Sequence, residues 1–519
     1  MLIELIRDFP SFEQIVRSFP SLNDIARLID LEASFHRYFL VILLFVFSLI
    51  YLLQKAKRNF PPGPIALPVV GNIDLFKSKA HIRLSNLKDK YGDVYSLRVG
   101  SYDFIVVSSL EGMMEGLNRS DSVLDGRPDF SVFDHLFKGN KQRGVFTADS
   151  DLKNEIKRKF MVESLDTHCT SPSTIEDEIK RETLNLMCFF LQESGPFDPL
   201  ECLKFAHLHI MMLLIFDERF DSDDFIRDRI FEALDERYAS LKIKFHHYFP
   251  SLQSFYKENT KKLLMGSDIL IRYEKMLLNQ HKDTYNPMKI RDLVDQMLLF
   301  IETNEDSELL ESDDMDDLLL ELSGAGFYTV PALLSWLLAY MAAFPDVQQK
   351  LQNEIDSIVG RERFPSLEDE PYLPYTIAVI LEVQRVVTIM PLLLPHRAVK
   401  SCVFQGYNIP KDSLYLFNVW SLHHDQRHWK NPMKFNPDRF LDESGALFIP
   451  DYFVPFGLGH RRCPGESLVE IEVYVMFTCI MHQLRVCASP QARELNLEAD
   501  FSYILTPKDL KIEVKERDN

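Results

Sequence analysis

Positive charge is what this chain is short of: 58 Lys+Arg stand against 77 Asp+Glu, a net charge of −19 over 519 residues. A dedicated nucleic-acid binder carries a basic domain, so that class is excluded. Cysteines number seven, and no two of them form a C-x-x-C pair. A zinc ribbon or a disulfide framework has nothing to build on, and a reducing compartment follows. Beyond residue 72 there is no low-complexity linker, so a length that by itself suggests roughly three domains reads as one large body. Hydrophobic residues make up 46% and charged residues 26%, which is a core-forming composition and not a disordered one.

One uncharged apolar run stands near the N-terminus, from Tyr38 to Gln54. It is just long enough to cross a bilayer, and a buried core helix is the competing reading. Tyr38 and Tyr51 near its ends, and Lys55, Lys57 and Arg58 after it, favour the membrane with the rest of the chain cytosolic. More than thirty acid-containing residues precede it, which argues against a cleavable signal and against a transit peptide. In residues 1–37 a short repeat, Phe9-Pro10-Ser11-Phe12 and Phe19-Pro20-Ser21-Leu22, predicts two amphipathic turns, with no chemistry that needs them. A basic, proline-rich connector covers 55–72, including Pro61-Pro62-Gly63-Pro64, and the catalytic body is expected over 73–519. The acidic run Glu305–Asp317 leads into an apolar helix, where acids suit the helix N-terminus.

Near the C-terminus, Pro455-Phe456-Gly457-Leu458-Gly459-His460-Arg461-Arg462-Cys463-Pro464-Gly465-Glu466 delivers a cysteine to the start of a helix. Exposed N–H groups there, with Arg461 nearby, favour thiolate over thiol. With no second Cys or His at close spacing, Cys463 suits the role of a single axial ligand to a soft metal centre. A buried structural cysteine is the bland reading, but Phe456, Gly459, Arg461, Cys463 and Gly465 at fixed offsets outweigh it.

This loop resembles the haem-binding signature of the cytochrome P450 family, and the resemblance runs from the connector to about residue 510. It implies haem b, with iron held by Cys463 and with Phe456, Gly459 and Gly465 shaping the loop. Arg461 and His396 match family positions that bind the haem propionates. Glu382 and Arg385 match the family's E-x-x-R pair, a spacing that Glu4/Arg7, Glu155/Arg158 and Glu178/Arg181 share by chance. Arg439, in Asn436-Pro437-Asp438-Arg439-Phe440, completes that structural cluster. The early helix that supplies a propionate-binding Trp and Arg in the family has no tryptophan here, and Arg158 is the substitute. His423, His424 and His428 are read as structural.

Between the acidic run and Pro345 lies an apolar helix interrupted by Gly324, Gly326 and Pro331. Pro331 cannot donate to the Phe327 carbonyl, so the ladder opens beside Thr329. Gly326 and Thr329 match the family's oxygen-binding groove, while Tyr328 stands where an acid is expected. Tyr328 either weakens proton delivery or simply packs against a neighbouring helix.

The expected fold is therefore mainly α with small β-sheets, the cytochrome P450 fold, behind one N-terminal transmembrane helix. The resemblance implies a monooxygenase of the animal microsomal type, similar to the steroid 17-hydroxylase and aryl-hydrocarbon hydroxylase branch. It would be a single-pass protein of the endoplasmic reticulum membrane with NADPH-cytochrome P450 reductase, and cytochrome b5, as electron partners. The substrate would be a hydrophobic steroid, lipid or xenobiotic, its pocket drawn from Asp125–Gly144, Phe245–Pro250 and the helix near Ala325. A haem-thiolate isomerase or dehydratase needing no external electrons, or a non-enzymatic haem-binding membrane protein, are the alternatives.

Overall fold

The computed structural model describes residues 59–517, apart from 78, 120, 138, 171, 221–224, 242–247, 250–256, 304–309, 311, 490–494 and 501, together with residues 38, 39, 42, 45 and 46. The repeat in 1–37 and most of the apolar run 38–54 therefore lie outside the described residues. The few described there are helical, and Tyr38, Phe39, Ile42, Phe45 and Val46 are all exposed.

The body is mainly helical with small sheets, as expected. Its largest sheet opens with β1 (Val94–Val99) and β2 (Tyr102–Val107), which pair antiparallel. The proline run docks on β1 and does not hang free: Ser96 donates its N–H to Pro62 O at 2.7 Å and its hydroxyl to Pro61 O at 2.7 Å. Helices α1 (Leu152–Thr170), α2 (Leu200–Phe216), α3 (Phe225–Leu241) and α4 (Lys257–Thr284) follow. Next comes a pair along one line, α5 (Ser312–Ala325) and α6 (Thr329–Ala343), then α7 (Pro374–Val387). Strands β3 (His396–Arg397) and β4 (Leu414–Phe417) return to the sheet, β4 parallel to β2 and antiparallel to β3, and α8 (Glu466–Gln483) follows the cysteine loop.

The apolar helix expected as one piece is two. Gly326–Tyr328 form a turn in which Thr329 N–H donates to Gly326 O at 3.1 Å, and α6 then starts with Ala332 N–H donating to Tyr328 O at 3.0 Å. The break falls where Pro331 withholds a donor from the Phe327 carbonyl. Every residue from Val330 to Ala342 is buried, so α6 is the central core helix. The stretch Asp313–Ala343 is long and apolar enough to cross a membrane, but 72% of that window is buried inside the body, which is what core packing gives.

The acids in the first turns of α5 do more than complement a helix dipole. Asp314, Asp316 and Asp317 are buried, and each is paired. Lys157 and Lys153 of α1 reach Asp314 at 2.6 and 2.7 Å, Lys275 of α4 reaches Asp316 at 2.7 Å, and Arg143 reaches Asp317 at 2.8 Å. These pairs fix α1 and α4 against the start of the split helix. The dipole reading stands for Asp313 and Asp314 in the first turn, and the ion pairs add to it.

Candidate functional site: a cysteine loop facing a split helix

The α7 helix begins with Pro374 at its first turn and ends where Thr388 takes a left-handed conformation at φ 48°. Three residues apart on it, Glu382 and Arg385 share a face and are both fully buried. Arg385 makes a two-pronged pair with Glu382, at 2.7 and 2.9 Å, and donates to His423 O at 2.7 Å. Arg439 Nε and the Asn436 N–H bond the same Glu382 oxygen at 3.2 and 2.8 Å. No charge in this cluster is left alone, which is the condition under which a buried ion pair is tolerated. Of the chance E-x-x-R spacings, Arg181 and Glu178 pair at 2.7 Å in a partly exposed setting and join no such cluster.

His423, His424 and His428 lie in separate settings. His423 accepts the Val454 N–H at 3.0 Å, His424 stacks on Trp420 and His428 stacks on Tyr452. The expected pocket stretch Phe245–Pro250 falls mostly outside the described residues. Tyr248 within it is buried among Phe76, Phe104 and Phe130, against the β1–β2 sheet.

In the cysteine loop, Cys463 N–H donates to Phe456 O at 2.9 Å, closing the turn that presents the sulfur. Gly459 has φ +66°, and a Cβ there would lie 1.9 Å from the Leu117 carbonyl, so no other residue fits. Cys463 is exposed by surface, yet burial pushes its thiol up. A group with both properties lines an internal cavity. The Gly465 N–H, Arg158 and Arg462 pull the other way, but burial dominates. A metal cation at sulfur would deprotonate it outright.

Around that cavity the guanidinium roles shift. Arg461 spends its donors on backbone: Asp125 O at 3.1 Å, Val145 O at 3.1 Å and Ala148 O at 2.6 Å. His396 donates Nδ1–H to Leu124 O at 2.7 Å, and burial and Arg127 hold its pKa well below the usual range. Arg158 of α1 reaches the loop, donating Nη2–H to Arg462 O at 2.7 Å and leaving Nε and Nη1 unspent.

The sequence reading missed Arg127. It is buried, bonds Phe146 O, Leu394 O and Pro395 O, and keeps Nη2 without a hydrogen bond. Burial lowers its pKa, and Arg461 and Arg158 lower it further. Clustered cations with Asp125 as the opposing acid, beside an accessible cysteine, fit the two carboxylates and the iron of haem. Only its place inside the flagged stretch Asp125–Gly144 signalled Arg127 in advance.

Across from the loop, Ala325 is exposed although Leu318–Ser323 and Val330–Ala342 are buried, so the split helix opens at that point. Thr329 is half-buried with Oγ1 donating to Gly326 O at 3.3 Å. Gly326 itself turns away from the opening: a Cβ there would come within 2.8 Å of His207 Nε2 on α2. That side of Gly326 is closely packed against α2. Tyr328 also turns outward and stacks on Tyr238 of α3. The packing alternative therefore describes its ring.

Comparison with known proteins agrees with this geometry. The cytochrome P450 family profile matches residues 61–514. The chain belongs to the cytochrome P450 family. It is 31% identical over 464 residues to cytochrome P450 1A5 of Gallus gallus, covering 84% of this chain and 87% of that protein. To cytochrome P450 2J2 of Homo sapiens it is 30% identical, covering 89% and 92%. To cytochrome P450 2D3 of Rattus norvegicus it is 31% identical, covering 90% and 95%. P450s are haem-thiolate monooxygenases that bind iron through a cysteine, and this chain is an enzyme of that class.

Proposed function

We propose that this P450 inserts one oxygen atom from O2 into a hydrophobic steroid, lipid or xenobiotic. Electrons come from NADPH through a reductase, with cytochrome b5 as a second donor. The observation that carries the proposal is Cys463, accessible inside the body at the head of α8, with a split helix opening at Ala325 and Thr329. Bound haem would supply dioxygen activation there, with the thiolate favouring O–O cleavage. The chain's own residues do the rest. Cys463 would hold the iron, Arg127 and Arg158 would receive the propionates, and Thr329 Oγ1 would offer a hydroxyl to oxygen or to a relay water. Glu382, Arg385 and Arg439 lock the loop's surroundings.

Replacing Cys463 with Ala should abolish the thiolate-type spectrum of the reduced, CO-bound protein, and a retained spectrum would sink this reading. NADPH consumption with reductase separates the monooxygenase from an isomerase or dehydratase, which would turn over a peroxide substrate without reductase.

The proposed organisation is an extension 1–37, a membrane span 38–54, a connector 55–72 and a catalytic body 73–519 facing the cytosol from the endoplasmic reticulum. Asn118-Arg119-Ser120 has the glycosylation acceptor pattern, and Asn118 is exposed. It should stay bare in cells, because glycan is added on the lumenal side; a glycan found on Asn118 would overturn the topology.

A further inference from the structure

Arg237 of α3 is a buried cation without a counter-ion. It is 4% exposed, and among the described residues it makes no ion pair and one hydrogen bond, from Nη1 to Ser267 Oγ of α4 at 2.8 Å. Burial lowers its pKa from 12.5 to about 10, so the guanidinium stays charged at neutral pH. Glu274, Glu321 and Asp317 pull the other way, but each is engaged elsewhere. Glu274 accepts the Ser323 hydroxyl, Glu321 accepts the Val145 and Phe146 N–H groups, and Asp317 pairs with Arg143. An unpaired buried charge is strongly destabilising, and it persists where a ligand brings the opposite charge. The edge left free is Nε–Nη2. Arg385 grips Glu382 with that edge, and Arg291 grips Asp295 with it, both bonds at 2.7 Å. Neither Nε nor Nη2 of Arg237 is among the sealed polar atoms that lack a partner, so both face open space. Nε looks toward α5, where a Cβ built on Gly324 would lie 3.7 Å from it. The next residue, Ala325, is the exposed one at the opening of the split helix. The guanidinium also lies over the Phe137 ring at 5.8 Å, within the expected pocket stretch Asp125–Gly144.

We infer that Arg237 selects the substrate: the hydrophobic molecule carries a carboxylate, which docks on the Nε–Nη2 edge while its apolar body extends toward the opening at Ala325. This inference names the substrate class of the monooxygenase reading and rests on that reading. A monocarboxylic lipid fits, either a fatty acid or a steroid acid. The planar guanidinium edge matches the two oxygens of a carboxylate, and in a water-poor site the pair attracts more strongly than in solvent. Phe137 supplies an apolar wall beside it. Burial raises the pKa of Glu274 to about 8, so at neutral pH it is largely protonated and does not repel the incoming anion. An ester or an alcohol brings no charge and leaves the buried cation as unbalanced as before. Arg237 is a specificity-determining residue and takes no part in the oxygen chemistry.

The competing account is a structural brace that joins α3 to α4 through Ser267. The test measures binding to the haem-loaded protein by calorimetry and by the shift of the haem Soret band, with melting temperature as a control. The probes are laurate and cholate, each against its own methyl ester. At least one acid should bind about tenfold or more tighter than its ester, and which one does so tells a fatty acid from a steroid acid. Arg237→Gln should bring acid and ester within about twofold of each other and leave ester binding unchanged. With no counter-ion to strand, it should melt no lower than the wild type, whereas loss of a brace lowers the melting temperature. Arg237→Lys keeps the charge without the fork and should cut the preference about threefold or more. The site is overturned if the wild type binds both acids no tighter than their esters, or if Arg237→Gln keeps the full preference. It is equally overturned if Arg237→Gln melts lower and weakens acid and ester alike. Should Arg237→Gln fail to fold, an unchanged preference in Arg237→Lys overturns the site and a reduced one supports it. Acid binding without NADPH consumption in the presence of reductase would remove the monooxygenase reading alone. NADPH consumption stimulated equally by acid and ester would remove the carboxylate site and leave the monooxygenase standing.

Discussion

The two sides of the haem-binding region are built to different standards of completeness. Below the cysteine loop, Glu382, Arg385, Arg439 and His423 form a buried cluster in which the charges and the imidazole are matched by partners. Around the split helix, charged or titratable groups keep buried atoms without a hydrogen bond: His207 Nε2, Glu472 Oε2 and Glu274 Oε2. Satisfied networks hold one arrangement, whereas unpaired buried groups are costly and persist where a site must accept water, protons or ligand. The first side is a rigid mount. The second leaves charged and titratable groups with unpaired atoms beside the split helix.

The sharpest way to break that comparison is to damage the mount. Glu382→Ala leaves Arg385 buried without its carboxylate, which costs about 3–5 kcal/mol. Haem-loaded protein should be nearly absent from the expressed yield; normal yield and melting temperature would show that the cluster is not the mount.

A smaller effect is expected above the split helix. Burial raises Glu274 from the usual 4.5 to about 8, while Ser323 donates to it at 2.6 Å. The folded protein therefore keeps a proton that the unfolded chain releases. Its contribution is fully present below the unfolded pKa and is lost as pH rises from 4.5 through about 8. Urea unfolding of the wild type should lose more stability across that window than Glu274→Gln loses. Parallel pH profiles for the two proteins would refute the assignment.

The smallest effect is expected at the loop's outer rim. Arg462 is exposed and already pairs with Glu466 at 2.6 Å, so its charge is partly spent. Arg462→Glu should slow reduction by reductase about two- to threefold at low salt and leave it unchanged at high salt. An unchanged rate at low salt would move the reductase contact elsewhere.

What the sequence made legible follows the same divide. The cysteine loop and the E-x-x-R helix carry their information locally: Phe456 bonds Cys463 seven residues on, and Glu382 meets Arg385 within one turn. Arg127 could not be read this way, because its acceptors Leu394 and Pro395 are more than 260 residues distant and backbone carbonyls leave no side-chain signature. The acids at the start of α5 were legible as charge but not as pairs, since Lys157, Lys153 and Arg143 come from far upstream. Tyr328 was legible as a missing acid. That Asp235 touches its hydroxyl depends on how α3 lies over the broken turn, which spacing along the chain does not encode.

The contact between Gly326 and His207 has a consequence for how this sequence can change over generations. A methyl group at position 326 would need the space that the imidazole fills, and His207 is itself fixed by a 2.7 Å contact to Glu472 of α8. A glycine in the oxygen-side turn, a histidine on α2 and a glutamate on the cysteine helix are therefore tied to one another. Drift at any one of them is checked by the other two. Across relatives, a side chain larger than hydrogen at position 326 should be found only with a smaller residue at 207, and the residue at 472 should change along with it.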